Sequence, residues 1–135
     1  MRLWIYMFVM ILAVPLLMIW MGSLFRRGIP KEVNKTFGYR TFRSMRNQNT
    51  WTFAHQYCGN LWFKVGRIML AASVIIQLLF LKLRPGRLLI LSFVLLCVQG
   101  AVLLALFFPV ELALKRNFDE WGDPIVPQNA EEEQK

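Results

Sequence analysis

His55 is the only histidine in the chain, and the thiol nearest to it in sequence is Cys58. General-base catalysis would need a second reacting group within hydrogen-bond reach of the imidazole, and nucleophilic catalysis a Ser or Cys paired with it. Neither arrangement is written here: no nucleophile-elbow motif is present, and Glu32 is the only acid before Glu111. One His beside one Cys does not complete a metal site, and Cys58 and Cys97 lack CxxC spacing. The sequence therefore predicts no catalytic centre, no metal and no cofactor. His55 reads as a polar residue satisfied at a membrane boundary, with pH sensing as the alternative.

Arginine offers the other chemistry. Arg40, Arg43 and Arg46 recur at every third position. Positive charge resting on anionic lipid, worth about 1 kcal/mol per residue near the surface, accounts for Arg43 and Arg46. It also accounts for Lys64 and Arg67, which share a helical face and extend their stems toward headgroups. Arg40 differs, because the turn Gly38-Tyr39-Arg40-Thr41 can present its planar fork to a carboxylate or phosphate, and its specific role is either ligand binding or structural, tying the turn to a backbone carbonyl. An enzyme acting on a phosphate-bearing lipid, with Arg40 as clamp and His55 as base, is the least favoured reading. Asn34, Thr41, Ser44 and Asn47 have the chemistry of loop and capping residues, and Trp51 and Trp62 that of interfacial anchors.

The elements that must position these residues are membrane helices. The 135 residues are 56% hydrophobic yet carry a net charge of +8, with pI ≈ 10.1 and mean hydropathy +0.42. Such a chain is reconciled by segregation, with apolar blocks in lipid and Lys and Arg at its anionic surface. Basic residues flanking long apolar blocks do not form a soluble patch, which argues against direct nucleic-acid binding. Residues 1–25 form a first span. It is too long for a signal-peptide core, and Pro15 within it predicts a kink or packing notch. Residues 61–83 and 88–112 form a second and third span, joined by a tight Pro85-Gly86 turn. Gln77 and Gln99 lie within these two spans and should face other helices, at depths too different to pair with each other.

Between the first two spans, residues 26–60 form a basic interfacial segment. Gly38 predicts unusual backbone angles, and Asn49 or Thr50 a helix N-cap. Trp51, Ala54, His55, Cys58, Leu61, Trp62 and Val65 fall on one helical stripe, with Gln56 and Asn60 off it. This predicts an amphipathic interfacial helix joined to the second span. Residues 113–135 read as a polar tail, mobile after Trp121, and Glu111 is spaced to pair with Lys115. The fold class is thus an all-α integral membrane protein. Arg26, Arg27, Lys31, Lys35, Arg40, Arg43, Arg46, Lys64, Arg67, Lys115 and Arg116 lie on one side, against Arg2, Lys82, Arg84 and Arg87 on the other. The positive-inside rule then places the central segment and C-terminus in the cytoplasm and the N-terminus outside.

The run Asn34-Lys-Thr-Phe-Gly-Tyr-Arg-Thr-Phe-Arg-Ser-Met-Arg-Asn47, followed by Trp51, Ala54-His55 and Gly59, resembles the signature of the SdpI (sporulation-delaying-protein immunity) family. The match covers about residues 30 to 66, and the hydrophobic helix pair that follows also fits. The resemblance implies a bacterial inner-membrane, non-enzymatic protein linked to protection against a secreted peptide toxin. As in the namesake system, it also implies membrane recruitment of a soluble transcriptional regulator. The chain is shorter than that namesake and has three spans. The candidate partner- or ligand-binding set is Asn34, Gly38, Tyr39, Arg40, Thr41, Ser44, Asn47, Trp51 and His55, with anionic phospholipid as the partner of Arg43, Arg46, Lys64 and Arg67.

Overall fold

A computed structural model describes residues 1–125. The described chain is helical: α1 (Arg2–Arg26), α2 (Gln48–Leu79), a single 3-10 turn over Phe80–Lys82, α3 (Pro85–Ala105) and α4 (Phe107–Asn117). Three stretches, Arg2–Arg26, Gln48–Lys82 and Pro85–Asn117, are long and apolar enough to cross a membrane. The only β-pairing among the described residues is an isolated bridge between Phe118 and Pro124.

The second of these stretches is 35 residues long, about 50 Å at the α-helical rise, whereas a bilayer core is about 30 Å thick. Part of it must therefore project from the lipid. Lys64 and Arg67 are both exposed, and the uninterrupted apolar part of α2 begins after them. No break separates an interfacial helix from a membrane helix, because residues 48–79 are one continuous α-helix. Nothing at residues 60 and 61 interrupts the hydrogen-bond ladder, since that region holds neither Pro nor a competing cap.

The third apolar run, by contrast, is not one regular helix over residues 88–112. Pro109 has no N–H for the Ala105 carbonyl, so the ladder is interrupted and α4 restarts at Phe107. Helix α4 continues to Asn117 with Val110 and Leu114 buried, so the expected polar tail begins as the last turn of a packed helix. Beyond it the chain folds back, with Ile125 N–H donating to the Asn117 carbonyl at 3.0 Å and Asp119 N–H to the Asp123 carbonyl at 2.9 Å. Residues 122–125 are therefore tied down rather than mobile. Pro127 and the run Glu131–Glu133 lie outside the described residues.

Helix α1 packs mainly on α2, and glycine sets how closely. A Cβ on Gly22 would stand 2.6 Å from the Phe63 nitrogen, and one on Gly59 would stand 2.6 Å from the Arg26 nitrogen. Backbone thus meets backbone at this crossing. With no hydrophobic drive between helices in lipid, such close packing is a principal source of association. Pro15 lies inside α1 and is buried. Deeper in the bilayer, polar groups bridge the helices. Gln99 Nε2 donates to Ser73 Oγ at 2.8 Å and to the Ile11 carbonyl at 3.2 Å, while Gln77 Nε2 donates to Ser92 Oγ at 3.2 Å. The two glutamines face other helices and do not pair with each other.

The close crossing makes Gly59 intolerant of a single methyl. Gly59→Ala should lower stability in detergent by about 1–3 kcal/mol through overpacking. Gly100→Ala, where an added Cβ meets nothing within 4 Å, should be neutral or slightly stabilising. Thermal unfolding of the two variants side by side checks this, and equal midpoints would contradict the backbone contact.

Candidate functional site

The N-terminus of α2 is fixed by Asn47, three residues earlier than Thr50. Asn47 Oδ1 accepts from the Thr50 N–H at 3.0 Å, and Thr50 Oγ1 accepts from the Asn47 N–H at 3.1 Å. This reciprocal pair is a capping box with Thr in the place usually held by Glu or Gln. The expected cap at Asn49 or Thr50 is thus corrected, because Thr50 serves Asn47 from inside the helix. Asn47 Nδ2 also donates to the Gly122 carbonyl at 2.6 Å, joining the cap to the folded-back tail.

Upstream, the loop is built from local side-chain bonds. Asn34 Oδ1 accepts from the amides of Thr36 and Phe37 at 3.0 and 2.8 Å. Thr41 and Ser44 bond each other's backbone amides with their hydroxyls, and the buried Ser44 Oγ donates to the Tyr39 carbonyl at 2.8 Å. Thr50 Oγ1 reaches the Ser44 carbonyl at 3.2 Å, so this turn rests on the start of α2.

The centre of the assembly is His55, which is 1% exposed. Its Nε2 accepts from the Tyr39 N–H at 2.8 Å, and its Nδ1 lies 2.7 Å from the Trp51 carbonyl. An amide N–H can only donate, so Nε2 must carry the lone pair and Nδ1 the proton. The bonds therefore specify one neutral tautomer. His55 lies about 13 Å above Lys64 along the helix, outside the lipid span, and desolvation holds its pKa below the ordinary histidine value. Gly38 makes the approach possible. Its φ is +126°, and a Cβ there would overlap His55 Nε2 and stand 3.1 Å from both Pro30 Cγ and Trp51 Cη2.

Trp51 is fully buried, with its indole N–H donating to the Pro30 carbonyl at 3.0 Å. It is a core residue here rather than an interfacial anchor, because the loop folds over it. Tyr39 is buried as well; its ring stacks on Phe107 and its hydroxyl donates to Glu111 Oε1 at 3.0 Å. Burial and then the Glu111 bond raise the Tyr39 pKa well above that of a free phenol, so it remains a donor. Glu111 is thereby bound to the loop, not to the Lys115 expected from helical spacing. It was detectable as a lone acid closing an apolar run, but its partner lies 72 residues away.

The basic residues divide. Arg40 is exposed and donates to the Lys35 carbonyl, so its fork fastens its own loop. Arg46 lies over the Phe42 ring at 4.1 Å, and Arg43 is half-buried. Lys64 and Arg67 stand apart from this assembly on the far part of α2. Gly38, Tyr39, Ser44, Trp51 and His55 are brought together, Thr41 and Asn47 flank them, and Asn34 and Arg40 form the exposed edge. With both imidazole nitrogens occupied, the arrangement has the form of a clasp that holds the loop to the helix. Among the described residues no group of three or more His, Cys, Asp or Glu side chains could hold a metal ion.

The motif that builds this clasp lies within residues 31–110, which match the model of the SdpI/YfhL protein family. The chain belongs to that family. It is 35% identical over 60 residues to the uncharacterized protein YfhL of Bacillus subtilis (strain 168). The matched region is 44% of this chain and 54% of that relative, so the chain spans about half the relative's length. No solved structure matches. Within this SdpI/YfhL member, the fold gives the motif's residue types a physical reason: Gly for the overlap at His55, Ser and Asn for the turns, and Trp for the core beneath them.

His55→Ala should leave the buried Tyr39 N–H unpaired, at about 1–3 kcal/mol. A histidine whose folded pKa is lowered stabilises fully above its unfolded value, near 6.5. That contribution is lost as pH falls below 6.5 toward the folded pKa. The wild-type thermal midpoint should therefore drop between pH 7.5 and 5.5, while the lower midpoint of His55→Ala changes much less. Parallel pH profiles would contradict the neutral clasp.

Proposed function

We propose that this member of the SdpI/YfhL family protects its own membrane against a secreted, membrane-active peptide, by binding the peptide in the bilayer or blocking its assembly there. The observation that supports this reading is how the motif uses its polar groups. His55, Ser44, Thr50 and Asn47 spend their hydrogen bonds on the loop, on α2 and on the tail. The motif then acts as a cap that sets the spacing of the helices. The surface left for a bilayer-borne partner is their lipid-facing side, including Ile68, Ile75, Ile90 and Phe93. The same bonding weighs against a lipid-modifying enzyme, since His55 keeps no free lone pair to act as a base. The distribution of basic residues supports placement in the bacterial inner membrane, with the cap and C-terminus cytoplasmic and the N-terminus outside.

A second reading, recruitment of a soluble regulator, has its own observation. Phe42 and Trp121 are each 77% exposed although they lie beyond the membrane stretch. Beside them is a recess of ≈ 200 Å³ lined by Arg43, Arg46, Asp119 and Glu120 among others. Exposed aromatics beside mixed charge suit a protein partner.

Deletion of the gene should sensitise cells to the membrane-active peptides secreted by their own or related strains, and expression of the chain in trans should restore survival. Direct protection in the bilayer further expects Phe42→Ser with Trp121→Ser to keep full protection at unchanged membrane levels. Loss of protection at unchanged levels would favour recruitment instead, and unaltered survival of the deletion strain would contradict both.

A further inference from the structure

The ring of Phe63 carries two guanidinium groups, Arg26 at 4.3 Å and Arg67 at 5.6 Å from its centroid. Arg26 ends α1 and Arg67 lies on α2. They meet because the helices cross backbone to backbone at Gly22 and Gly59, which fixes both stems. Beside the ring opens a recess of ≈ 300 Å³ lined by Ser23, Arg26, Arg27 and Phe63. Exposed Lys64 is the next residue along α2. Among the described residues no carboxylate lines the recess.

Three features give this arrangement a ligand chemistry. Stacking on an aromatic face leaves the N–H edge of a guanidinium free, and that edge matches phosphate oxygens bidentately. Cations gathered around one ring repel one another, and an anion between them relieves that repulsion. The depth is also appropriate. From Arg67 to Leu83 the chain climbs about 24 Å, close to a bilayer core, with Lys82, Arg84 and Arg87 at the other end. The recess therefore lies in the headgroup phosphate layer.

We propose that the recess lined by Ser23, Arg26, Arg27 and Phe63, with Arg67 close by at the Phe63 ring, is a phosphate-binding site that holds the headgroup of an anionic phospholipid at the junction of α1 and α2. Ser23 supplies a hydroxyl donor, and Arg27 and Lys64 add charge. Occupancy pins the two helices together on the side of the membrane where the clasp sits.

The test uses the full chain purified in neutral detergent, with phosphatidylglycerol, phosphatidylcholine or inorganic phosphate added before thermal unfolding. Phosphatidylglycerol should raise the midpoint by several degrees and phosphatidylcholine should not. Arg26→Gln with Arg67→Gln should lose more than half of that rise, whereas Lys31→Gln with Lys35→Gln, which removes the same charge at exposed positions of the loop, should retain it. If the first pair fails to fold, Arg26→Lys with Arg67→Lys keeps the charge and should still lose most of the rise. Equal losses in the two glutamine pairs, or a full rise in the lysine pair, would overturn the site in favour of diffuse surface charge. A matching rise with inorganic phosphate, sensitive to the same variants, would keep the phosphate site and overturn the lipid as its source.

Discussion

The hydrogen bond from the Tyr39 amide to Nε2 of His55 lies at the centre of the contacts that hold a basic loop onto a helix that would otherwise end in water. It forms only because Gly38 lacks a Cβ and adopts a positive φ, letting the loop backbone reach a buried ring. The bond carries more than its own energy. It places Tyr39 so that its hydroxyl meets Glu111 near the third apolar stretch, and it keeps the ring of His55 edge-on to Phe25 at the end of the first. One imidazole on the second helix therefore connects the cap to all three membrane stretches. A protonated His55 would have no acceptor for the Tyr39 amide, so the connection depends on a neutral side chain.

Below the cap, the membrane part follows a different rule. Lipid neither drives apolar faces together nor hydrates polar ones, so close backbone packing and paired side chains must serve. Gly22, Gly59 and Gly66 meet the first need, and Ser73, Ser92 and the two glutamines the second. The clasp and the crossing reinforce each other. Gly59 lies one turn beyond His55 on the same buried stripe, so holding the loop also holds the register of α1 against α2.

Legibility in the sequence followed the range of the interactions. Three membrane stretches could be read because their apolar runs are local properties, as could the need for Gly38, whose angle belongs to one residue. The stripe from Trp51 to Cys58 was legible as one face of an amphipathic helix. What it faces was not, and so Trp51 read as an interfacial anchor although it is covered by Pro30 and its neighbours. The cap at Asn47 was missed because Thr50 is itself a good N-cap type, and only geometry decides which residue serves the other. The tail read as mobile for want of apolar surface, but its anchorage rests on Asn47 meeting the Gly122 carbonyl, 75 residues apart. For Arg40 the sequence left a ligand contact and a structural tie both open, and in the fold its acceptor is a carbonyl of its own loop.

The neutral clasp is tested most directly by the protonation state of His55, the only histidine in the chain. ¹⁵N NMR of the ring nitrogens, on labelled protein in lipid nanodiscs at neutral pH, separates the tautomers by their chemical shifts. A neutral clasp gives a protonated Nδ1 and a bare, hydrogen-bonded Nε2, with the Tyr39 amide protected from exchange. A protonated Nε2 with a freely exchanging Tyr39 amide would contradict it.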